Sequence, residues 1–165
     1  MISGSNAGLG FSSTNPTSRG QLTTPTEVLR VIKNTMTYLA TGFFALIMIG
    51  GAIAHVVNPD FYAPLVPAPI PLWLANVTST IAEGIIGVLL IIPRTRRIGA
   101  LAFAALLVAL TPIHIWDLLK DQPAVGSHAA AVVRLIVQAV FIAGGLWLAR
   151  RAGSQHGASS VARAD

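Results

Sequence analysis

The sequence predicts an all-α integral membrane protein: a bundle of four transmembrane helices with the N- and C-termini cytoplasmic. Three observations carry that prediction. Of the 165 residues, 53% are hydrophobic and only 10% are charged, whereas a soluble domain carries about 25% charged residues. The apolar residues gather into four stretches, each close to the ~20 residues a spanning helix needs. The basic residues stand beside those stretches instead of lining one soluble face, so the net charge of +5 does not indicate nucleic acid. The absence of cysteine removes disulfides, thiolate metal sites and thiol redox chemistry from consideration.

Residues 1–34 read as a polar, disordered N-terminal tail. Its first 26 residues are rich in Ser, Thr, Gly and Asn, and no apolar run follows a basic segment as a secretory signal requires. The membrane domain covers residues 35–150, with spans at about 35–57, 72–93, 98–116 and 129–149, and residues 151–165 form a C-terminal tail. The connection between the first two spans, NPDFYAPLVPAPIP, has prolines at 59, 64, 67, 69 and 71. Proline removes backbone donors, so this loop is expected to lie at the interface as a stiff cap without regular hydrogen bonding.

Orientation follows from the Lys and Arg count near the span ends. Arg19, Arg30 and Lys33 precede the first span; Arg94, Arg96 and Arg97 anchor the loop between the second and third; Arg150, Arg151 and Arg163 follow the fourth. The two other loops hold only Lys120. Both termini are therefore expected on the cytoplasmic side of a multi-pass protein in a bacterial inner membrane. Phe61, Tyr62, Trp73 and Trp116 fall at the opposite interface, Tyr38 and Trp147 at the cytoplasmic one.

Polar residues inside the spans are the candidate site. Glu83 is the sole charge in Leu72–Pro93 and lies near its middle, where a carboxyl is costly and is kept for a partner, a proton or a ligand. Helical spacing puts Asn76, Thr80, Glu83 and Gly87 on one stripe, and Arg134, Gln138 and Gly145 on another. Met48, Gly51 and His55 align in the first span, Thr111 and His114 in the third. Lipid satisfies none of these groups, so the four stripes are expected to face one another as a polar column. Glu83 would carry proton exchange, with His55, Arg134, Gln138, His114, Asn76 and Thr80 as ligand or relay groups. Each also has a structural reading: Glu83 with Arg134 as an ion pair fixing helix contacts, the histidines as interfacial hydrogen-bond formers, the glycines as close-packing sites. Two histidines and one glutamate at unequal depths do not make a metal site.

The same residues resemble the DoxX family of small four-helix bacterial membrane proteins. The matching pieces are His55 with Asn58-Pro59-Asp60-Phe61-Tyr62, Ile81-Ala82-Glu83-Gly84-Ile85-Ile86-Gly87, Pro93-Arg94-Thr95-Arg96-Arg97 and Thr111-Pro112-Ile113-His114-Ile115. The resemblance runs from about residue 35 to 150. It implies the four-helix fold and a redox association, since the family takes its name from a subunit of a thiosulfate:quinone oxidoreductase. Related sequences often carry Asn at the position of His114, which counts against a bis-histidine haem through His55 and His114.

Three functions remain open. One is a redox-associated accessory subunit, no enzyme on its own, with a site for a quinone or a proton and a membrane or peripheral oxidoreductase as partner. The second is a proton-coupled small-molecule transporter acting as a homo-oligomer, and the third a non-catalytic membrane scaffold. The lipid bilayer is a partner in all three, and nucleic acid in none.

Overall fold

A computed structural model describes residues 24–161. Four long helices, α1 (Pro25–Val57), α2 (Leu72–Ile91), α3 (Arg96–Leu118) and α4 (His128–Val161), are joined by a cap, the 3₁₀ helix Pro59–Leu65, and by two short turns. All four long helices are long and apolar enough to cross a membrane, as a multi-pass protein requires, and the described residues form helices and no strand. Their outward faces are apolar, with Leu46, Val56, Trp73, Ile98 and Val140 all exposed. That is the surface a hydrocarbon solvent requires.

Two boundaries differ from the sequence reading. Helix α1 begins ten residues early, so residues 25–34 are helical and not part of a disordered tail. The reason is local: Thr24 and Glu27 form a capping box and Pro25 occupies the first turn, where its missing N–H costs nothing. Likewise α4 runs on through residue 161. Residues 1–23 and 162–165, assigned to the tails, lie outside the described residues. The loop expected to lack regular structure is 3₁₀-helical over its first half, with Pro59 opening it. Proline is tolerated there for the same reason as in α1.

The helices pack as two antiparallel hairpins, α1 on α2 and α3 on α4, which meet mainly through α2 and α3. The pairing divides the interior by depth. Toward the end that carries Arg96, Arg97 and Arg150, the core is dry: Phe44, Met48, Ile86, Leu90, Phe103 and Leu148 bury one another. Phe44 stacks on Phe103 with ring centroids 4.7 Å apart, and Phe141 closes the cluster edge-on to Phe44 at 5.9 Å. Aromatic pairs of this geometry contribute about 0.5–1.5 kcal/mol beyond their area. Toward the capped end, the interior is polar.

The interhelical glycines sort into two classes. Gly51, Gly87, Gly144 and Gly145 are close-packing sites, whereas Gly50 and Gly84 face open space. The tightest approach to backbone is at Gly99, where a β-carbon would stand 2.7 Å from the Leu90 nitrogen and 2.8 Å from the Leu89 carbonyl carbon. Backbone cannot swing aside, so Gly99 sets the α2–α3 distance. Gly99→Ala is expected to destabilise the bundle by about 1–3 kcal/mol, read as a lower thermal midpoint in detergent. Gly42→Ala, with nothing within 4 Å, should leave that midpoint unchanged.

Candidate functional site: a capped polar pocket between two histidines

The stripe on α2 turns wholly toward α1. Asn76 meets His55, the Thr80 hydroxyl lies 3.5 Å from the Ala52 carbonyl, and Gly87 packs on Ile49. Glu83 packs against Gly51 so closely that a β-carbon there would overlap its Oε2. Glycine at 51 is thus what admits the carboxyl between the helices. Oε1 lies 3.5 Å from His55 Nε2, and the buried Oε2 has no partner.

The hydrogen bonds fix where the protons sit. Asn76 Nδ2 donates to the Pro59 carbonyl at 3.2 Å, so its Oδ1 is the atom 2.9 Å from His55 Nδ1. An amide oxygen only accepts, so His55 Nδ1 carries the proton. Nε2 then faces Glu83, and a hydrogen bond between them requires one further proton shared by the pair. The unpaired Oε2 costs least as the carbonyl oxygen of a neutral acid. Tyr62, on the cap, stacks on the His55 ring at 3.7 Å between centroids. Burial pushes the Tyr62 phenol above its ordinary value of 10.0.

An equivalent arrangement recurs on the other hairpin. Gln138 Nε2 donates to the Leu107 carbonyl at 2.6 Å and to Thr111 Oγ1 at 2.8 Å, which turns its Oε1 to His114 Nδ1. His114 is therefore also protonated at Nδ1, leaving Nε2 as an acceptor. Each histidine is set by an amide whose NH₂ is anchored on a backbone carbonyl.

The four stripes consequently do not form one column. They pair within hairpins, and the expected contact of Glu83 with Arg134 is absent. Arg134 reaches instead toward the capped end and binds Asp117 at 2.6 Å. Asp117 is fully buried. It also accepts from Lys120 Nζ at 3.2 Å and the Ala124 N–H at 3.0 Å. Asp117 lies within the same hairpin as Arg134 and is fully buried, where an unpaired carboxylate would be costly. Lys120 donates as well to the Pro64 carbonyl at 2.5 Å and lies 3.7 Å over the Trp116 ring, tying the cap to α3.

Between the hairpins and beneath the cap lies a pocket of about 250 Å³. Its polar lining includes His55, Glu83, His114, Asn76, Ser79 and Tyr62; its apolar walls come from the cap loop and α3. Thus Glu83, His55, Asn76 and His114 share one pocket. Gln138 acts through His114, Thr80 holds α2 to α1, and Arg134 belongs to the Asp117 cluster. Sequence reasoning did not single out Asp117, took Ser79 only as an interhelical hydrogen-bond donor, and took Tyr62 as an interfacial aromatic and part of the family resemblance. The Asp117-x-x-Lys120 spacing at the end of an apolar span was the available signal for the first. Arg94, Arg96 and Arg97 lie at the opposite end; Arg96 is buried, donates to the Leu90 carbonyl at 3.4 Å and lies 5.3 Å from the Tyr38 ring. Among the described residues, no group of three or more His, Asp or Glu is placed to hold a metal ion.

Two expectations follow from this geometry. Asn76→Leu should release His55, and nitrogen NMR of labelled imidazoles should lose one Nδ1-protonated signal; an unchanged spectrum would dismiss the network. Asp117→Asn should cost about 3–5 kcal/mol by stranding Arg134 and Lys120, with faster hydrogen exchange across residues 59–66.

No curated protein and no solved structure matches the chain. The sequence model of one family spans residues 44–149, from the aromatic core of α1 to the end of the buried stretch of α4. With most of the helical bundle and the whole pocket inside that match, the chain belongs to the DUF8561 family, a domain of unknown function.

Proposed function

We propose that this chain is a DoxX-like accessory subunit of a membrane oxidoreductase in a bacterial inner membrane, both termini cytoplasmic, with a pocket for a quinone head group. The observation that carries the reading is the pocket itself. One wall bears a carboxyl and an imidazole 3.5 Å apart, and another bears His114 with an acceptor nitrogen. The space of about 250 Å³ suits a single substituted ring and falls just under the ~300–1,000 Å³ of drug-sized sites. Its mixed lining, apolar walls with a few convergent polar groups, is what such a ring needs.

A quinone would supply paired proton and electron chemistry there. The chain's own residues supply the proton side. Glu83 Oε1 and His55 Nε2, 3.5 Å apart, would share one proton, and Asn76 keeps the imidazole in the tautomer that leaves Nε2 available. The Ser79 hydroxyl would donate to a ring oxygen, His114 Nε2 would accept from the hydroxyl of the reduced ring, and Tyr62 roofs the site. On this reading the electron side is supplied by a partner oxidoreductase.

The division of the interior by depth favours this reading over a transporter confined to one protomer. Below Glu83 the path is filled by Phe44, Phe103, Ile86 and Leu90. Small-molecule mass spectrometry of an organic extract from the purified protein tests the proposal. Wild type should carry a quinone that Glu83→Gln loses or retains at ten-fold lower occupancy. Lipid alone in both extracts would reject the cofactor site and leave scaffolding as the account.

A further inference from the structure

The basic end of the bundle carries a second concavity, unrelated to the pocket under the cap. It has a volume of about 340 Å³ and lies between α3 and α4, lined by Arg97, Leu101, Leu146, Ala149, Arg150 and Gly153. The Arg97 side chain lies across α4, its Cδ, Nε and Cζ being 3.5–3.6 Å from where a β-carbon on Gly153 would stand. This brings its guanidinium to the helix that carries Arg150. Both arginines are exposed, and among the described residues neither forms a salt bridge with a carboxylate.

The neighbouring arginines have different employment. Arg96 is buried on the Leu90 carbonyl and Tyr38, and Arg151 lies 5.7 Å from the Trp147 ring. Two uncompensated like charges sharing one groove repel each other unless an anion lies between them. Deeper along the same groove the lining turns apolar, with Leu101 45% and Leu146 39% exposed toward the hydrocarbon. One wall is therefore cationic and the continuation oily. That is the profile of an amphiphile with an anionic head.

We propose that Arg97 and Arg150 bind the phosphodiester of an anionic phospholipid, whose acyl chain lies along Leu101 and Leu146. Guanidinium is the group suited to this, because its planar fork meets two phosphate oxygens at once. Basic pockets between transmembrane helices are a recurrent way to hold such headgroups. The apolar continuation selects a lipid over a free anion, and two unpaired cations select a net negative headgroup over a zwitterionic one.

The test is native mass spectrometry of the full chain in mild detergent, titrated separately with phosphatidylglycerol, phosphatidylethanolamine and inorganic phosphate. Phosphatidylglycerol should give a discrete one-lipid adduct, weakened about 30-fold in the Arg97→Gln, Arg150→Gln double variant, at roughly five-fold per arginine near a charged surface. Arg94→Gln should bind as wild type. Because the double variant also changes the charge that orients the chain, Leu101→Trp provides an independent arm: it keeps both arginines, fills the groove, and should abolish the adduct. Equal adducts in wild type and both groove variants would overturn the proposal. So would equal binding of phosphatidylethanolamine, or displacement of the lipid by inorganic phosphate, which would make this a simple anion site.

Discussion

A polar side chain inside a membrane bundle has no solvent to fall back on, and this fold is organised by how each such group finds its partner. Asn76 and Gln138 illustrate the constraint. An amide has both donors and acceptors, and leaving either unmet at depth costs more than most single packing contacts contribute. Each amide therefore spends its NH₂ on a backbone carbonyl, Pro59 or Leu107, and presents its oxygen to an imidazole. Those bonds link α2 to α1 and to the cap, and α4 to α3. The two-hairpin architecture and the state of both histidines are consequences of one requirement.

The Asp117 cluster extends the same logic to charge. A fully buried carboxylate is held by Arg134, Lys120 and the Ala124 N–H, and through Lys120 it reaches the Pro64 carbonyl of the cap. The cap is consequently fastened from two sides: to α1 by Tyr62 on His55, and to α3 by this charge network. The pocket's shape thus depends on α1 and α3 together, which the Phe44–Phe103 stack also joins at the other end of the bundle.

Much of this was legible in the sequence, because membrane burial makes pattern and cost coincide. The four spans followed from apolar length, and the stripe Asn76-Thr80-Glu83-Gly87 does pack along one neighbour. The partners were less legible. Spacing assigns a residue to a face but not to a depth-matched contact, and Arg134 illustrates the gap: its long side chain could have pointed to either end. Asp117 decided the direction, and it escaped notice because it stands at a span boundary, where a charge looks unremarkable. The early start of α1 at Pro25 was missed for the opposite reason. A local capping box outweighed a polar composition that argues for coil.

The unequal filling of the two halves has an electrical consequence. The packed phenylalanines fill the basic half with apolar side chains, whereas the pocket lies beneath the cap. On the proposed reading, a proton held by Glu83 and His55 would sit on the capped side of that layer. Its exchange would then follow the acidity of the compartment on the capped side, and carrying it on through the layer would work against or with a voltage worth ~2.3 kcal/mol per charge for each 100 mV crossed. The aromatic layer is in this sense a dielectric, and it gives a symmetric-looking bundle a sidedness.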